Sequence, residues 1–224
     1  PPPRFYPHQI TGKEEYLGVE LEVEVNPFGG SRYGDGTRQS LELFAQQITM
    51  AFGSYWYIKD DSSISYGFEL VSEPCQLEFH NKKMPWAALL KMLTDAKCKS
   101  HNTDTCGLHV HVSKASLGYN SKDITRAIDN LIIMFKRNWS YILQFVRRQD
   151  MYSMYHYARP NHSGVPEEKL IQSLPHLRGE RFGRHVAINV INRDTIEFRI
   201  FKGTLSRQAI LATIQFVHVM CGLG

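Results

Sequence analysis

Four short stretches carry side chains whose types and spacing could do chemistry. In GVELEVEV (residues 18–25), alternation puts Glu20, Glu22 and Glu24 on one strand face and Val19, Leu21, Val23 and Val25 on the other. GFELVSEP groups Glu69, Val71 and Glu73 in the same way, GLHVHVS groups His109 with His111, and TIEFRIF groups Glu197 with Arg199. Asp60 and Asp61 occupy the turn before the Glu69 strand. Neighbouring carboxylates on one strand face stand roughly 6.6 Å apart. At that separation they repel by about 0.6 kcal/mol in water and by about 2.5 kcal/mol at an effective dielectric of 20. A row facing solvent therefore means little, whereas a row facing the inside of a fold requires a cation.

Each stretch has an ordinary alternative when taken singly. Alternating Glu is the usual pattern of a solvated face, an ExR pair defaults to a cross-strand salt bridge, and Asp60-Asp61 can simply shape a turn. The joint pattern is more selective. These strand faces collect acids, two histidines and one arginine, with no lysine among them. Carboxylates with a supporting His and water suit Mg²⁺ or Mn²⁺, while zinc draws more His or Cys. The carboxylates exceed the needs of one ion. Two or more hard cations, with Arg199 on the same side, describe a site for a phosphorylated ligand.

The elements that must position these groups follow from periodicity. Residues 1–15 are proline-led and polar and read as an extended arm, and NPFGGSRYGDG reads as a Gly-rich loop after the first strand. Leu41, Phe44, Ala45, Ile48 and Phe52 recur at helical spacing from Gln39, with Gly53 as the expected C-cap. YWYI and GFELVSEP read as a strand pair around DDSS, and a helix is expected from Pro85 to about Cys98. After GLHVHVS, the apolar spacing predicts one long helix, capped by Ser121 and ending near Arg148. MYSMYHYARP reads as a packed loop and a short helix starts near Pro166. HVAINVIN and TIEFRIF then form a hairpin through Asn192-Arg193-Asp194, and Ser206 caps a final helix. Hairpins mixed with helices predict an α+β domain over 16–224, an antiparallel sheet with helices packed on one face.

Composition excludes other classes. The chain has 224 residues, 42% hydrophobic and 21% charged, which is ordinary for a folded domain. A net charge of +4 comes without a concentrated Lys/Arg run, so no nucleic-acid partner is expected. No apolar stretch is long enough to cross a bilayer, and no signal peptide is visible. Four irregularly spaced cysteines read as reduced thiols, and the expected location is cytoplasmic. The chain opens on PPPRF without an initiating methionine, which fits a trimmed product or an excerpt. Neither GxxxxGK[ST] nor GxGxxG is present, so neither a P-loop nor a dinucleotide fold is supported.

GVELEVE, DSSI…FELVSEP, CGLHVHVS and TIEFRIFKGTL, in that order, resemble the amidoligase family, carboxylate–amine ligases related to glutamine synthetase and glutamate–cysteine ligase. The resemblance covers roughly residues 17–215. It implies a glutamine synthetase-like catalytic domain, a curved antiparallel sheet whose concave face holds Mg²⁺ or Mn²⁺ ions bridging the phosphates of ATP. It implies metal ligands at Glu20, Glu22, Asp61, Glu69, His109 and Glu197, with Asp61 standing where the family has glutamate. His111 and Ser113 match positions that approach the nucleotide, Arg199 matches the arginine on the transferring phosphoryl group, and Lys202 is a further candidate. Arg184 resembles another phosphate-facing arginine, a role for which Arg181 competes. Glu73 lies beyond the motif.

The implied reaction forms an amide. A substrate carboxylate attacks the γ-phosphate of ATP, and an amine then attacks the acyl phosphate. No protein nucleophile is required, which fits the absence of GxSxG or a paired Cys/His. The partners implied are a small-molecule or peptide carboxylate and an amine, and enzymes of this superfamily often form homo-oligomers. Two rivals share these residues. A metal-dependent phosphohydrolase would release phosphate without carboxylate or amine, and a degraded nucleotide-binding domain would keep the fold without the chemistry.

Overall fold

A computed structural model of the chain describes residues 15–25, 38–64, 66–101, 103, 105–148, 151–161, 163–178 and 185–223. Its strands are β1 (Leu17–Glu24), β2 (Trp56–Lys59), β3 (Gly67–Ser72), β4 (Gly107–Ser113), β5 (Ile188–Asn189) and β6 (Thr195–Lys202). Its α-helices are α1 (Arg38–Phe52), α2 (Leu77–Lys82), α3 (Trp86–Asp95), α4 (Ser121–Arg137), α5 (Trp139–Val146), α6 (Met151–Tyr157), α7 (Leu170–Leu177) and α8 (Arg207–Leu223). The strands form an open six-stranded antiparallel sheet in the order β2-β3-β1-β4-β6-β5, which makes the protein α+β. The chain divides into two compact units. The first comprises Gly18–Leu108 and Lys202–Ala212, the second His109–Phe201 and Thr213–Gly224 together with residues 15–17.

In the first unit, the alternation read from the sequence sets the register. β1 and β3 pair with Leu21 opposite Leu70 and Val23 opposite Phe68, so the apolar side chains meet on one face. Helices cover that face. Phe44 of α1 packs on Phe68 with ring centroids 6.1 Å apart, and Trp56 of β2 meets Trp86 of α3 edge-on at 5.2 Å. The opposite face of the same strands carries the acids. Gly67 is required where β3 enters: a Cβ there would lie 1.9 Å from the Val23 carbonyl oxygen and 2.7 Å from Ile64 Cγ2.

In the second unit, Val110 and Val112 of β4 and Ile196, Phe198 and Ile200 of β6 are buried. Phe135 of α4 packs on Phe198 with centroids 5.8 Å apart. β5 is short but firmly held. The Asn161 side chain donates to Ile188 O at 2.7 Å and accepts from Ile188 N at 2.9 Å, copying a strand partner with one amide.

Several boundaries differ from the sequence reading, each for a local reason. The long helix predicted from Ser121 breaks at Asn138, whose Nδ2 donates to Met134 O at 2.9 Å and so competes with the backbone ladder. Its N-cap is Asn120 rather than Ser121, since Asn120 Oδ1 accepts from Lys122 N and Asp123 N, both at 3.0 Å. MYSMYHY is helical, not a packed loop. Met154 and Ala158, four residues apart, are both buried, so helical periodicity was present beneath the aromatic composition. The helix expected over 85–98 ends at Asp95, and Lys97 takes a left-handed φ of 61° beyond it. HVAINVIN is paired only at Ile188–Asn189, and the strand predicted as YWYI runs one residue later, from Trp56 to Lys59. Gly53 does follow α1, with its N–H on Thr49 O at 2.8 Å. Ser206 caps α8 as expected, accepting from Ala209 N at 3.4 Å. The arm over 1–14 and the Gly-rich loop from Asn26 lie outside the described residues.

Gly67→Ala should lower stability by about 2 kcal/mol or more, because the clash is with backbone that cannot rotate away. Urea unfolding of the variant against wild type measures this, and an unchanged midpoint would show that the β1–β3 backbone can separate at that point.

Candidate functional site

Among the described residues, each unit holds a cluster of chemically capable side chains. In the first, the register brings like charges together: Glu22 stands opposite Glu69 across β1 and β3, while Lys59 stands opposite Glu69 from β2. The result is a cross-strand row Lys59–Glu69–Glu22. Lys59 Nζ is 2.7 Å from Glu69 Oε2. Gly107 N, at the start of β4, donates to the Glu22 carboxylate. Asp61 arrives from the turn after β2, its Oδ1 fixed by Ser63 N at 2.8 Å. Glu22, Asp61 and Glu69 each present one oxygen, and these three atoms lie within 4.8 Å of one another. Glu22 and Glu69 are buried and Asp61 is half-buried.

The electrostatic consequence falls on Glu69. Burial, and then the charge and hydrogen bond of Glu20 beside it, push its carboxyl from the ordinary 4.5 up to about 7, against the pull of Lys59. A proton is therefore one way to relieve the cluster, and a divalent cation is another. Oxygen-only donors of this kind fit Mg²⁺ or Mn²⁺ and not zinc. Glu24, at the end of the strand, is engaged elsewhere and accepts from Thr105 Oγ1 at 2.6 Å.

The second unit's cluster is centred on Glu197, which is 4% exposed. Asn189 is its partner across β5 and β6 and donates to Oε2 at 2.8 Å. Arg199, two residues along the same strand face, donates to Oε1. His109 Nδ1 and His111 Nε2 lie 3.6 and 4.0 Å from that same oxygen. His111 Nδ1 is also 3.3 Å from Thr195 Oγ1. Arg148 is buried behind α5 and donates to the Arg199 carbonyl at 3.1 Å, fixing the backbone that carries the arginine. Arg147 just before it adopts a left-handed φ of 58°, the turn that ends α5. Arg199 Nε is buried and meets no hydrogen-bond partner among the described residues.

Of the residues singled out from sequence, Glu20, Glu22, Asp61 and Glu69 thus belong to the first unit's cluster, and His109, His111, Glu197 and Arg199 to the second's. Ser113 continues the His109–His111 face but accepts from Tyr16 N at 3.4 Å and leads into the turn at 114–117. Lys202 closes β6 half-exposed and is counted with the first unit. Arg181 and Arg184 lie outside the described residues.

Lys59, Tyr57, Asn189 and Arg148 were not foreseen, and the expectation of no lysine on these faces is corrected by Lys59. The signal for it was one residue of register. With Trp56 and Ile58 inward, Tyr57 and Lys59 must share the acid face. Tyr57 does so, and burial followed by the Glu20 charge raises its phenol above the ordinary value. Asn189 was legible as the polar residue between Ile188 and Val190, whereas Arg148 stands at the end of a helix with no periodic cue.

Among the described residues, no helix is long and apolar enough to cross a membrane. A family model described as "putative amidoligase enzyme" matches residues 36–220. The matched span contains Asp61, Glu69, His109, His111, Glu197 and Arg199, and begins after β1 with Glu20 and Glu22. No curated protein matches the chain.

The raised Glu69 carboxyl has a measurable sign. Between about 4.5 and about 7 the folded protein holds a proton that the unfolded chain has lost, so the stability of metal-free protein falls as pH rises through that window. Melting temperature should decline over this range in wild type and flatten in Glu69→Gln. A slope unchanged by the substitution would assign the pH dependence to another group.

Proposed function

The chain belongs to the amidoligase family, and from that premise we propose that it is an ATP-dependent carboxylate–amine ligase working through an acyl phosphate. The carrying observation is the oxygen cluster of Glu22, Asp61 and Glu69, three carboxylates from three segments whose repulsion a divalent cation would relieve. A sheet of the glutamine synthetase catalytic type is part of this reading, as are the substrates: a small-molecule or peptide carboxylate, and an amine.

In this reading Glu20, Glu22, Asp61 and Glu69 would hold Mg²⁺ or Mn²⁺, and the family resemblance assigns His109 and Glu197 to metal as well. When bound, the metal supplies Lewis-acid neutralisation of phosphate oxygens. Arg199 meets the transferring phosphoryl group, and its planar guanidinium is suited to the spread of charge in that step. Glu197 fixes one edge of that guanidinium, Asn189 fixes Glu197, and Arg148 fixes the backbone beneath it. The buried Arg199 Nε–H is a donor that a phosphate oxygen would satisfy. His111, Ser113 and Lys202 are assigned to the nucleotide, and so is Arg184.

The chemistry balances without a covalent enzyme intermediate. A substrate carboxylate oxygen attacks the γ-phosphorus, and ADP departs with the electrons of the broken P–O bond. The amine nitrogen then attacks the acyl carbon, phosphate leaves, and the nitrogen loses a proton. Cys106, the cysteine nearest the histidine strand, is buried and its thiol is pushed up to about 12 by that burial, so it is a packing residue and not a nucleophile.

The test begins with ATP and Mg²⁺ in a thermal-shift titration of wild type, Glu22→Gln and Glu197→Gln. ATP at about a hundred times its Kd should stabilise wild type by about 2.7 kcal/mol in the presence of metal, and both variants should lose most of this. ADP release should then require both a carboxylate and an amine. Phosphate release from ATP or a phosphomonoester with neither present would favour the phosphohydrolase. No shift with any metal–nucleotide pair would remove the ligase and leave the fold.

A further inference from the structure

We propose that Lys59 is a built-in counter-ion for the metal cluster, an ammonium that holds Glu69 until a divalent cation displaces it. The inference rests on the metal reading of Glu22, Asp61 and Glu69 and adds to it a residue that neither the resemblance nor the motifs assign. Its basis is geometric. Glu69 has a neighbour on each side in the sheet, a carboxylate (Glu22) from β1 and an ammonium (Lys59) from β2. The Lys59 bond at 2.7 Å reaches Oε2 of a carboxylate whose side chain is 2% exposed, while the lysine side chain is itself 54% exposed. One partner is therefore fixed in the sheet, and the other is a flexible arm with solvent to withdraw into. β2 is an edge strand, so among the described residues no further strand flanks the arm.

Such a group solves a folding problem and sets a binding property. Across the three paired strands, Lys59 sets an ammonium beside the facing carboxylates of Glu69 and Glu22. With it, the sheet can form before any metal arrives, and the cation is tethered where it does not diffuse away. The same tether makes Lys59 a competitor. A divalent ion that takes Glu69 must first break the ammonium–carboxylate bond, so its affinity in the absence of nucleotide is lower than the carboxylates alone would give. Lysine suits this role better than arginine, since a single rotatable ammonium makes a bond that can be released, whereas a planar guanidinium would clamp both oxygens.

The experiment titrates Mg²⁺ alone, without nucleotide, into wild type and Lys59→Met. Two readouts are followed, binding heat and the ¹⁵N resonance of the Lys59 ammonium, which its bond to Glu69 protects from exchange. The variant should bind Mg²⁺ about three- to tenfold more tightly than wild type. In wild type, the Lys59 resonance should vanish over the same Mg²⁺ range that saturates the heat. That coincidence separates displacement from a general field effect, which would change the affinity and leave the ammonium in place.

A resonance that persists through saturation, or equal or weaker binding in Lys59→Met, overturns the counter-ion while the metal site stands. Absence of Mg²⁺ binding in both proteins overturns the metal reading and the counter-ion with it. The resonance arm uses wild-type protein, and Lys59→Gln can make the assignment, so poor folding of Lys59→Met would not protect the proposal.

Discussion

Everything in the first unit depends on one constraint. A strand with period-two alternation that buries Val19, Leu21 and Val23 must project Glu20, Glu22 and Glu24 together, and pairing with β3 then sets Glu22 against Glu69. A one-residue slip would relieve the repulsion but would turn every buried valine and leucine outward. The apolar face thus enforces the register, and the register enforces carboxylate against carboxylate. What remains adjustable is the neutralisation: a proton on Glu69, an ammonium from Lys59, or a cation from solution.

The second unit reaches local neutrality by different means. Glu197 is buried as deeply as Glu22, yet Asn189 and Arg199 bond both of its oxygens, with two imidazoles close to one of them. Burying a charge this deeply is tolerable only when it is paired and hydrogen-bonded. The support extends outward in a chain: Asn161 holds β5, β5 presents Asn189, and Arg148 holds the backbone at Arg199. A side chain held through so many supports has little freedom to rotate. An environment already oriented in this way need not reorganise when charge develops beside it.

The acid faces were legible in sequence because they are written in the simplest code a chain has, alternation on a strand. Glu20, Glu22, Glu69, His109, His111, Glu197 and Arg199 were all found that way. Lys59 and Tyr57 escaped because the β2 strand is only four residues long, and at that length a boundary error of one residue hides which face a side chain takes. Arg148 escaped for a different reason. Its burial is decided by a left-handed residue at Arg147 and by a carbonyl far along the chain, neither of which leaves a periodic trace. The helix at 151–157 was hidden by composition, since a run of Tyr and Met suggests irregular packing until the i, i+4 pair of Met154 and Ala158 is noticed.

The two clusters also divide the chemistry by sign. The first unit gathers the carboxylates of Glu20, Glu22, Asp61 and Glu69, with Lys59 bonded to the last of them. The second sets one carboxylate against a guanidinium, with an amide and two imidazoles beside it. In the proposed reading, phosphate would meet the first cluster through cations and the second through Arg199. The proposed phosphoryl transfer would draw on both kinds of partner: metal to neutralise the polyphosphate that stays behind, and fixed donors for the oxygens of the group in transit.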